Sequence, residues 1–436
     1  MSQNFSRRGF MMTSAGVAMA AGPAVRSSLA ANDKINVGFI AAGSRGFYLM
    51  QRLYVGSGDL IQIASVCDTY AGNLARAKDR VQTMGKNTPK TGVDYREILA
   101  DPSIDAVVIA TPEHLHHSMT LAAIKANKHI YVEKPLAHTI EEGAEVVKAA
   151  ANYPKMIQVG TQNRSNPLYQ KAKQMVQQGM IGEVHYVRAF WYRNFPMANS
   201  PNVGAAWRYV IPADVNQSNT DWARFLGPAP KRPFNVPRYF QWRNYWDYSG
   251  GISTDLLVHQ TDISNFVLGK NVPISCMASG GIYQWGPPKD DREAPDTLSA
   301  IYEYADKFHL NYSCYFGNDH FGYGEQFMGY EGMIEVLNRG ELNFVPQKFG
   351  GKLPAGVPAR QEVHQNQPPA AGVTYDNLSV ELHMRNWIDS IRGTAKPIAP
   401  AKEGQIAAIP GHLATLSYKN GRKILWDAKT ERYRFS

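Results

Sequence analysis

The stretch Ile35-Asn36-Val37-Gly38-Phe39-Ile40-Ala41-Ala42-Gly43-Ser44-Arg45-Gly46, continued by Ile61–Cys67 and Asp68, decides the fold. A short, mostly apolar run of this kind reads as a strand buried on both faces, as in parallel sheets. A glycine turn follows it, then an apolar-periodic stretch over 46–54, then a second strand that ends in an acid. The same alternation continues downstream. Further strands are expected at 106–110, His129–Val132 and 156–160, with helical patterns near 71–83, 117–126 and 140–150. The pattern predicts an α/β domain with a doubly wound parallel sheet over residues 33–155.

The turn at 41–46 matches G-x-G-x-x-G except that Ala41 stands at the first glycine. In that motif the first glycine makes the tight turn, the second lets the backbone approach a pyrophosphate, and the third lets the helix pack closely. The helix N-terminus then faces the phosphate charge. A methyl at position 41 is tolerated if φ stays negative there. Gly43, Ser44, Arg45 and Gly46 are therefore expected to bind the dinucleotide phosphates. Asp68 lies 22 residues beyond Gly46, where an acid accepts hydrogen bonds from a ribose diol and repels a 2′-phosphate. That favours NAD over NADP. Two further turns, Thr111-Pro112-Glu113-His114-Leu115-His116 and Glu133-Lys134-Pro135, lie at carboxyl ends of strands, where an open parallel sheet binds ligands.

Beyond residue 156 the strand-like segments follow one another, at 183–193, 272–283, 297–304, 309–316 and 332–337, with helices near 252–267 and 378–392. Such a run predicts an α+β domain over 156–436 with a large, mostly antiparallel open sheet. Its uncovered face makes a homodimer or homotetramer plausible. Residues 349–374, rich in Pro, Gly and Gln, read as a long loop or arm.

Composition narrows the function. The 436 residues hold 46 Lys plus Arg against 37 Asp plus Glu, a net charge of +9. Residues 1–31 carry Arg7, Arg8 and Arg26 and no acid, and the remaining cations are interleaved with acids, so no nucleic-acid patch is expected. Three scattered cysteines (Cys67, Cys276, Cys314) exclude a disulfide framework and a structural zinc site. The histidines at 114, 116 and 117 lie on a dinucleotide turn with only Glu113 as a nearby acid, so no metal is expected. No membrane span follows the N-terminal segment. That segment, Ser6-Arg7-Arg8-Gly9-Phe10 before a weakly apolar run and Ser28-Leu29-Ala30, resembles a twin-arginine signal, which exports folded proteins. Residues 1–31 are thus expected to be a signal peptide and the mature protein periplasmic.

Taken in order, these pieces resemble the Gfo/Idh/MocA oxidoreductases. The resemblance rests on the glycine turn, Asp68, Asp94-Tyr95-Arg96-Glu97, the Thr-Pro-x-x-x-His ending at His116, Glu133-Lys134-Pro135, Gly160-Thr161-Gln162-Asn163-Arg164 and Gly250-Gly251-Ile252-Ser253-Thr254-Asp255-Leu256-Leu257-Val258-His259-Gln260-Thr261-Asp262. It covers roughly residues 33 to 430. It implies an N-terminal Rossmann domain holding NAD through Gly43, Ser44, Arg45, Gly46, Asp68, Thr111, Pro112, His116, Glu133, Lys134 and Gln162. It also implies that Lys134, Asp255 and His259 line the active site.

The chemistry of those three residues supports the assignment. Oxidising a carbinol needs a base for the hydroxyl proton while hydride leaves carbon. His259 titrates in a suitable range. Asp255, four residues earlier on a helix, shares its face and either orients the imidazole or binds a neighbouring substrate hydroxyl. Lys134 is placed to stabilise charge on the reacting oxygen. Five of the eight tryptophans fall within 191–246 among tyrosines and arginines, a composition suited to stacking on a sugar and hydrogen-bonding its hydroxyls. Arg164, Tyr192, Trp222, Arg243, Asp255 and His259 are the expected substrate contacts. Three functions fit: an exported NAD-dependent oxidoreductase acting on a sugar or cyclitol, a glycosidase or epimerase working by transient oxidation with retained NAD, or a non-catalytic sugar-binding sensor.

Overall fold

The computed structural model describes residues 34–194, 207, 209–349 and 374–436, with 351–353, 355, 356, 359 and 361–364 between the last two. The expected signal peptide lies outside the described residues.

Strands and helices alternate through the first half as β1 (Ile35–Ile40), α1 (Ser44–Ser57), β2 (Ile61–Cys67), α2 (Ala71–Gly85), β3 (Lys90–Gly92), α3 (Tyr95–Ala100), β4 (Ala106–Ile109), α4 (Glu113–Lys125), β5 (His129–Val132), α5 (Ile140–Ala150) and β6 (Ile157–Val159). The strands form one six-stranded parallel sheet in the order β3-β2-β1-β4-β5-β6. Every residue of β4 and β5 is buried, because helices cover both faces of a parallel sheet. The helices start where their caps dictate. Thr139 and Glu142 close a capping box on α5, and Asp94 caps α3. The sheet takes in β6, so the boundary expected at 155 stops one strand short.

The second half comprises α6 (Pro167–Gln177), β7 (Val184–Tyr192), α7 (Trp222–Leu226), α8 (Val236–Phe240), α9 (Val258–Leu268), β8 (Ser275–Gly281), β9 (Thr297–Glu303), β10 (His309–Tyr315), β11 (Tyr323–Gly329), β12 (Gly332–Leu337), β13 (Glu341–Pro346), β14 (Gln361–His364), α10 (Tyr375–Ile391), α11 (Ala401–Asn420), β15 (Ile424–Asp427) and β16 (Arg432–Phe435). Ten strands make the second sheet, ordered β14-β13-β12-β11-β7-β10-β9-β8-β15-β16 and antiparallel except for β7 against β10. Alternate residues of β7 (Val187, Ala189, Trp191) face the helices, while Met277 and Ile301, paired across β8 and β9, are exposed on the other face.

Two features depart from expectation. The arm at 349–374 contributes β14 to the sheet edge. The 20-residue helix α11 is absent from the sequence reading, because Gly404, Pro410 and Gly411 argue against a helix there. These small residues serve packing. A Cβ on Gly411 would lie 2.6 Å from the Ser253 carbonyl oxygen, so only glycine admits that approach. Helix α10 returns to the first domain, where Val380, Met384, Trp387, Ile388 and Ile391 join the core of α1, β1 and β2.

Arg164 belongs to this frame. It follows β6 and is buried, with Asp262 of α9 at 2.7 Å and Glu403 of α11 at 2.9 Å. The expectation that it reaches the substrate is corrected. Its charge is consumed in joining three elements, and no part of it lines the cavity described below.

Two predictions follow from this burial. Arg164→Met leaves Asp262 uncompensated and is expected to destabilise the fold by about 3 kcal/mol in urea unfolding; lost sugar affinity with unchanged stability would return Arg164 to the cavity. Burial also holds His129 and His383 down to about 4 and His114 and His412 down to about 3. These rings stay neutral in the fold but take up protons near pH 6.5 when unfolded, so stability falls as pH drops below about 6.5. Glu325, raised by burial to about 8, acts in the opposite sense. With several buried rings acting against one carboxyl, the expectation is a protein less stable at pH 5.5 than at 7.5; equal or greater stability at pH 5.5 contradicts it.

Candidate active site

A single cavity of about 750 Å³ runs from the glycine turn to the junction of the two domains, within the range of small-molecule sites. Its near end is the turn between β1 and α1. Gly43 caps α1 with no side-chain bond, so the first-turn N–H groups are uncapped by any side chain. Ala41 has φ +77°, contrary to the expectation of a negative value. The chain must reverse from strand to helix within three residues, and a left-handed residue achieves it. For alanine this costs about 1 kcal/mol. The turn is held by the Ala41 N–H on the Cys67 carbonyl at 2.8 Å. Gly46 lies behind it, where a Cβ would come within 2.1 Å of the Ala41 oxygen. Gly46 therefore serves the turn from outside the cavity, while Gly43, Ser44 and Arg45 line it.

Asp68 closes the groove's far side, but its carboxylate is already engaged. Oδ2 accepts from the Ala42 N–H at 2.7 Å, and Oδ1 accepts from the Tyr70 N–H, Asn73 Nδ2 and Tyr239 Oη. Burial raises the carboxyl's pKa and the four donors counter that. Tyr239 comes from α8 of the second domain. The segment carrying it also bonds through the Asp221 N–H to the Thr69 carbonyl and packs Trp222, Phe225, Tyr239 and Tyr248 against Tyr70. Trp222 is therefore part of this strap, its Nε1 on the Arg232 carbonyl, and does not line the cavity. Arg76, beside Asn73, lines the groove and was not singled out by sequence, since nothing marks one arginine of an amphipathic helix.

Thr111, Pro112, Glu133, Lys134 and Gln162 line the middle. Glu133 holds Arg45 at 2.7 Å. His116 is buried beneath them, within hydrogen-bond distance of the Pro135 and Thr111 carbonyls, and so positions the two turns from behind. Thr111 Oγ1 is buried without a partner among the described residues. A phosphate-facing helix terminus, an acid at the strand end and an orphaned hydroxyl between them fit an extended dinucleotide.

At the domain junction three predicted residues converge. Lys134 Nζ donates to the Asp255 carboxylate at 2.8 Å and to its carbonyl at 2.6 Å. Arg243 Nε donates to the same Oδ1 at 3.0 Å. Burial would raise the Asp255 pKa, but Arg243 and Lys134 outweigh it and hold the carboxyl well below its usual range. His259 lines the same end, its ring 6.0 Å from that of Trp191. Burial, then Lys134 and Arg339, push its pKa well below the ordinary value, so the imidazole is neutral. Its Nδ1 is buried and unpartnered among the described residues. Asp255 is spent on Lys134 and Arg243, so it does not orient the imidazole. The reason is local: Ser253–Leu257 form a π-turn that leads into α9, and the two residues share no plain α-helical face. Glu113 fixes this turn, accepting from Ser249 Oγ, the Gly250 N–H and Thr254 Oγ1 at 2.8–2.9 Å.

Tyr192 faces away, its hydroxyl on Ser313 in the open sheet face, and does not reach the cavity. Trp191, one residue earlier, does, together with Arg193, Trp207, Tyr209 and Arg339. Strand alternation could have separated Trp191 from Tyr192. Arg339 carries no sequence signal, being one arginine in the β12–β13 turn.

Comparison with known proteins agrees with this geometry. Residues 35–161 match the oxidoreductase family's NAD-binding Rossmann fold, and residues 229–425 match the same family's C-terminal α/β domain. The chain is 27% identical over 179 residues to the uncharacterized oxidoreductase YrbE of Bacillus subtilis (strain 168), covering 41% of this chain and 40% of that one. It is 31% identical over 207 residues to glycosyl hydrolase family 109 protein 2 of Shewanella sp. (strain ANA-3), covering 45% and 44%. The chain thus spans less than half the length of these curated relatives. Among solved structures, a levoglucosan dehydrogenase in complex with NADH and levoglucosan superposes with a TM-score of 0.68 at 20% identity, over 92% of this chain and 99% of that one. With both domain profiles matched in order, the chain belongs to the Gfo/Idh/MocA oxidoreductase family and carries its NAD-binding Rossmann domain.

Proposed function

We propose that the protein transfers hydride between a ring carbinol of a sugar, sugar derivative or cyclitol and a nicotinamide held in the cavity. The observation that carries this is the meeting of Lys134, Asp255 and His259 at one end of a cavity whose other end is the Gly43–Asp68 groove. NAD, bound along Gly43, Ser44, Arg45, Thr111 and Glu133, supplies the hydride acceptor. Lys134 has three ammonium donors and spends two on Asp255, leaving the third for the reacting oxygen. His259, kept neutral by burial and by Lys134, takes the hydroxyl proton at Nε2, the ring nitrogen not buried against the protein. Asp255, fully ionised, fixes the Lys134 amine in place.

Retained cofactor is part of the proposal. The strap from Asp221 to Tyr239 bonds to Thr69 and Asp68 and closes over the adenosine end. An exported protein also has no free nicotinamide pool to draw on, and Arg7-Arg8 supports export to the periplasm. These two points favour a second reading, a glycosidase or epimerase cycle in which the carbinol is oxidised, the sugar eliminates or inverts, and hydride returns. The glycosyl hydrolase family 109 relative supports it. The exposed Met277, Ile301 and Phe321 on the open sheet support a homodimer or homotetramer through that face.

Denaturing the purified protein without added nucleotide is expected to release about one NAD per chain. His259→Ala is expected to lower turnover at least about a hundredfold with that NAD content unchanged; equal loss of both contradicts the base role. Aglycone release from aryl glycosides without net reduction selects the glycosidase cycle. An empty protein that reduces added NAD with a free sugar selects a dehydrogenase.

A further inference from the structure

The substrate end of the cavity carries more positive charge than hydride transfer uses. Four cations meet there, Lys134, Arg193, Arg243 and Arg339, against the two carboxylates Asp255 and Asp376. Lys134 and Arg243 share Asp255 between them. Arg339 is 5% exposed and pairs with Asp376 through Nη1 alone, at 2.5 Å. Its Nε and Nη2 are buried with no hydrogen-bond partner among the described residues. Arg193 has no carboxylate partner among the described residues. Its guanidinium lies 5.0 Å from the Trp191 ring centroid, as does that of Arg339. Two guanidiniums are thus gathered on one indole whose ring is 6.0 Å from that of His259.

Neutral His259 supplies no counter-charge. The phosphates of a dinucleotide belong at the Gly43 end, and Arg45 is already paired with Glu133. Arg339 is buried with two donors unmet and half-buried Arg193 stands beside it without a carboxylate, and unmet donors out of water are costly, so an arrangement of this kind persists where a ligand supplies the counter-ion. Guanidinium forks suit the planar or trigonal oxygens of carboxylate and phosphate.

Building on the hydride-transfer reading, we propose that the substrate is an acidic sugar, one whose ring carries a carboxylate or phosphate held by Arg193 and Arg339 while the carbinol faces Lys134 and His259. The anionic group orients the ring from the side opposite the nicotinamide groove.

Calorimetric titration of the NAD-loaded protein with matched pairs tests this: D-glucuronate and D-galacturonate, and the corresponding 6-phosphates, each against D-glucose and D-galactose. At least one acidic series is expected to bind tenfold or more tightly than its neutral parents. The preference should shrink as salt rises from 50 to 500 mM, and Arg193→Gln should lose at least tenfold of it while Arg193→Lys loses less. Tight binding of the uronates alone identifies a carboxylate, and of the phosphates alone a phosphate. Neutral parents binding as tightly as their acidic partners, or binding by neither acidic series, overturns the proposal. Reduction of the bound cofactor by a neutral sugar in those same samples would leave the hydride-transfer reading standing, whereas acidic sugars that bind without reduction or label exchange would remove that reading and keep the site's charge preference.

Discussion

The carboxylate of Asp255, shared by Lys134 and Arg243, is the contact on which the site depends. Lys134 lies in the turn after β5 of the first domain, whereas Asp255 and Arg243 belong to the second. A buried charge left without its partner costs several kcal/mol, so the pairing fixes the angle at which the two domains meet. It also sets protonation states. The two cations keep Asp255 ionised, and Lys134 together with burial keeps His259 neutral. One ion pair therefore sets a charged amine beside a neutral imidazole, the two groups that the proposed hydride transfer uses as oxyanion donor and proton acceptor.

Other contacts serve the same junction. Glu113 at the start of α4 accepts three hydrogen bonds from the glycine turn that precedes Asp255. Helix α11 lies against that turn through Gly411, and Arg164 ties β6 to α9 and α11. The strap around Tyr239 joins the domains at the opposite end of the cavity. Together they make the groove beside the glycine turn a shared product of both domains.

Much of this was legible in the sequence where local pattern and chemistry coincide. The first sheet follows from short apolar runs; Gly43, Asp68, Lys134, Asp255 and His259 line one cavity, the last three singled out by the family resemblance rather than by local pattern. What was not legible depends on distant partners. The charge of Arg164 is buried by Asp262 and Glu403, the latter 239 residues away. Tyr192 and Trp191 exchange roles because β7 turns one face to the open side of the sheet. The π-turn that redirects Asp255, and α11 with its Pro and two Gly, are imposed by close packing that no local propensity reports. Ala41 shows the same limit: the turn's geometry overrides the residue's preference and forces φ positive.

The central claim is that His259 rests as a neutral acceptor beside a charged Lys134. The most direct measurement is the ¹⁵N chemical shifts of the His259 imidazole in the NAD-loaded protein at pH 6, assigned by comparison with His259→Asn. A neutral ring at that pH is expected, because burial and two neighbouring cations hold it below its ordinary range. An imidazolium at pH 6 would contradict the role of His259 as the base.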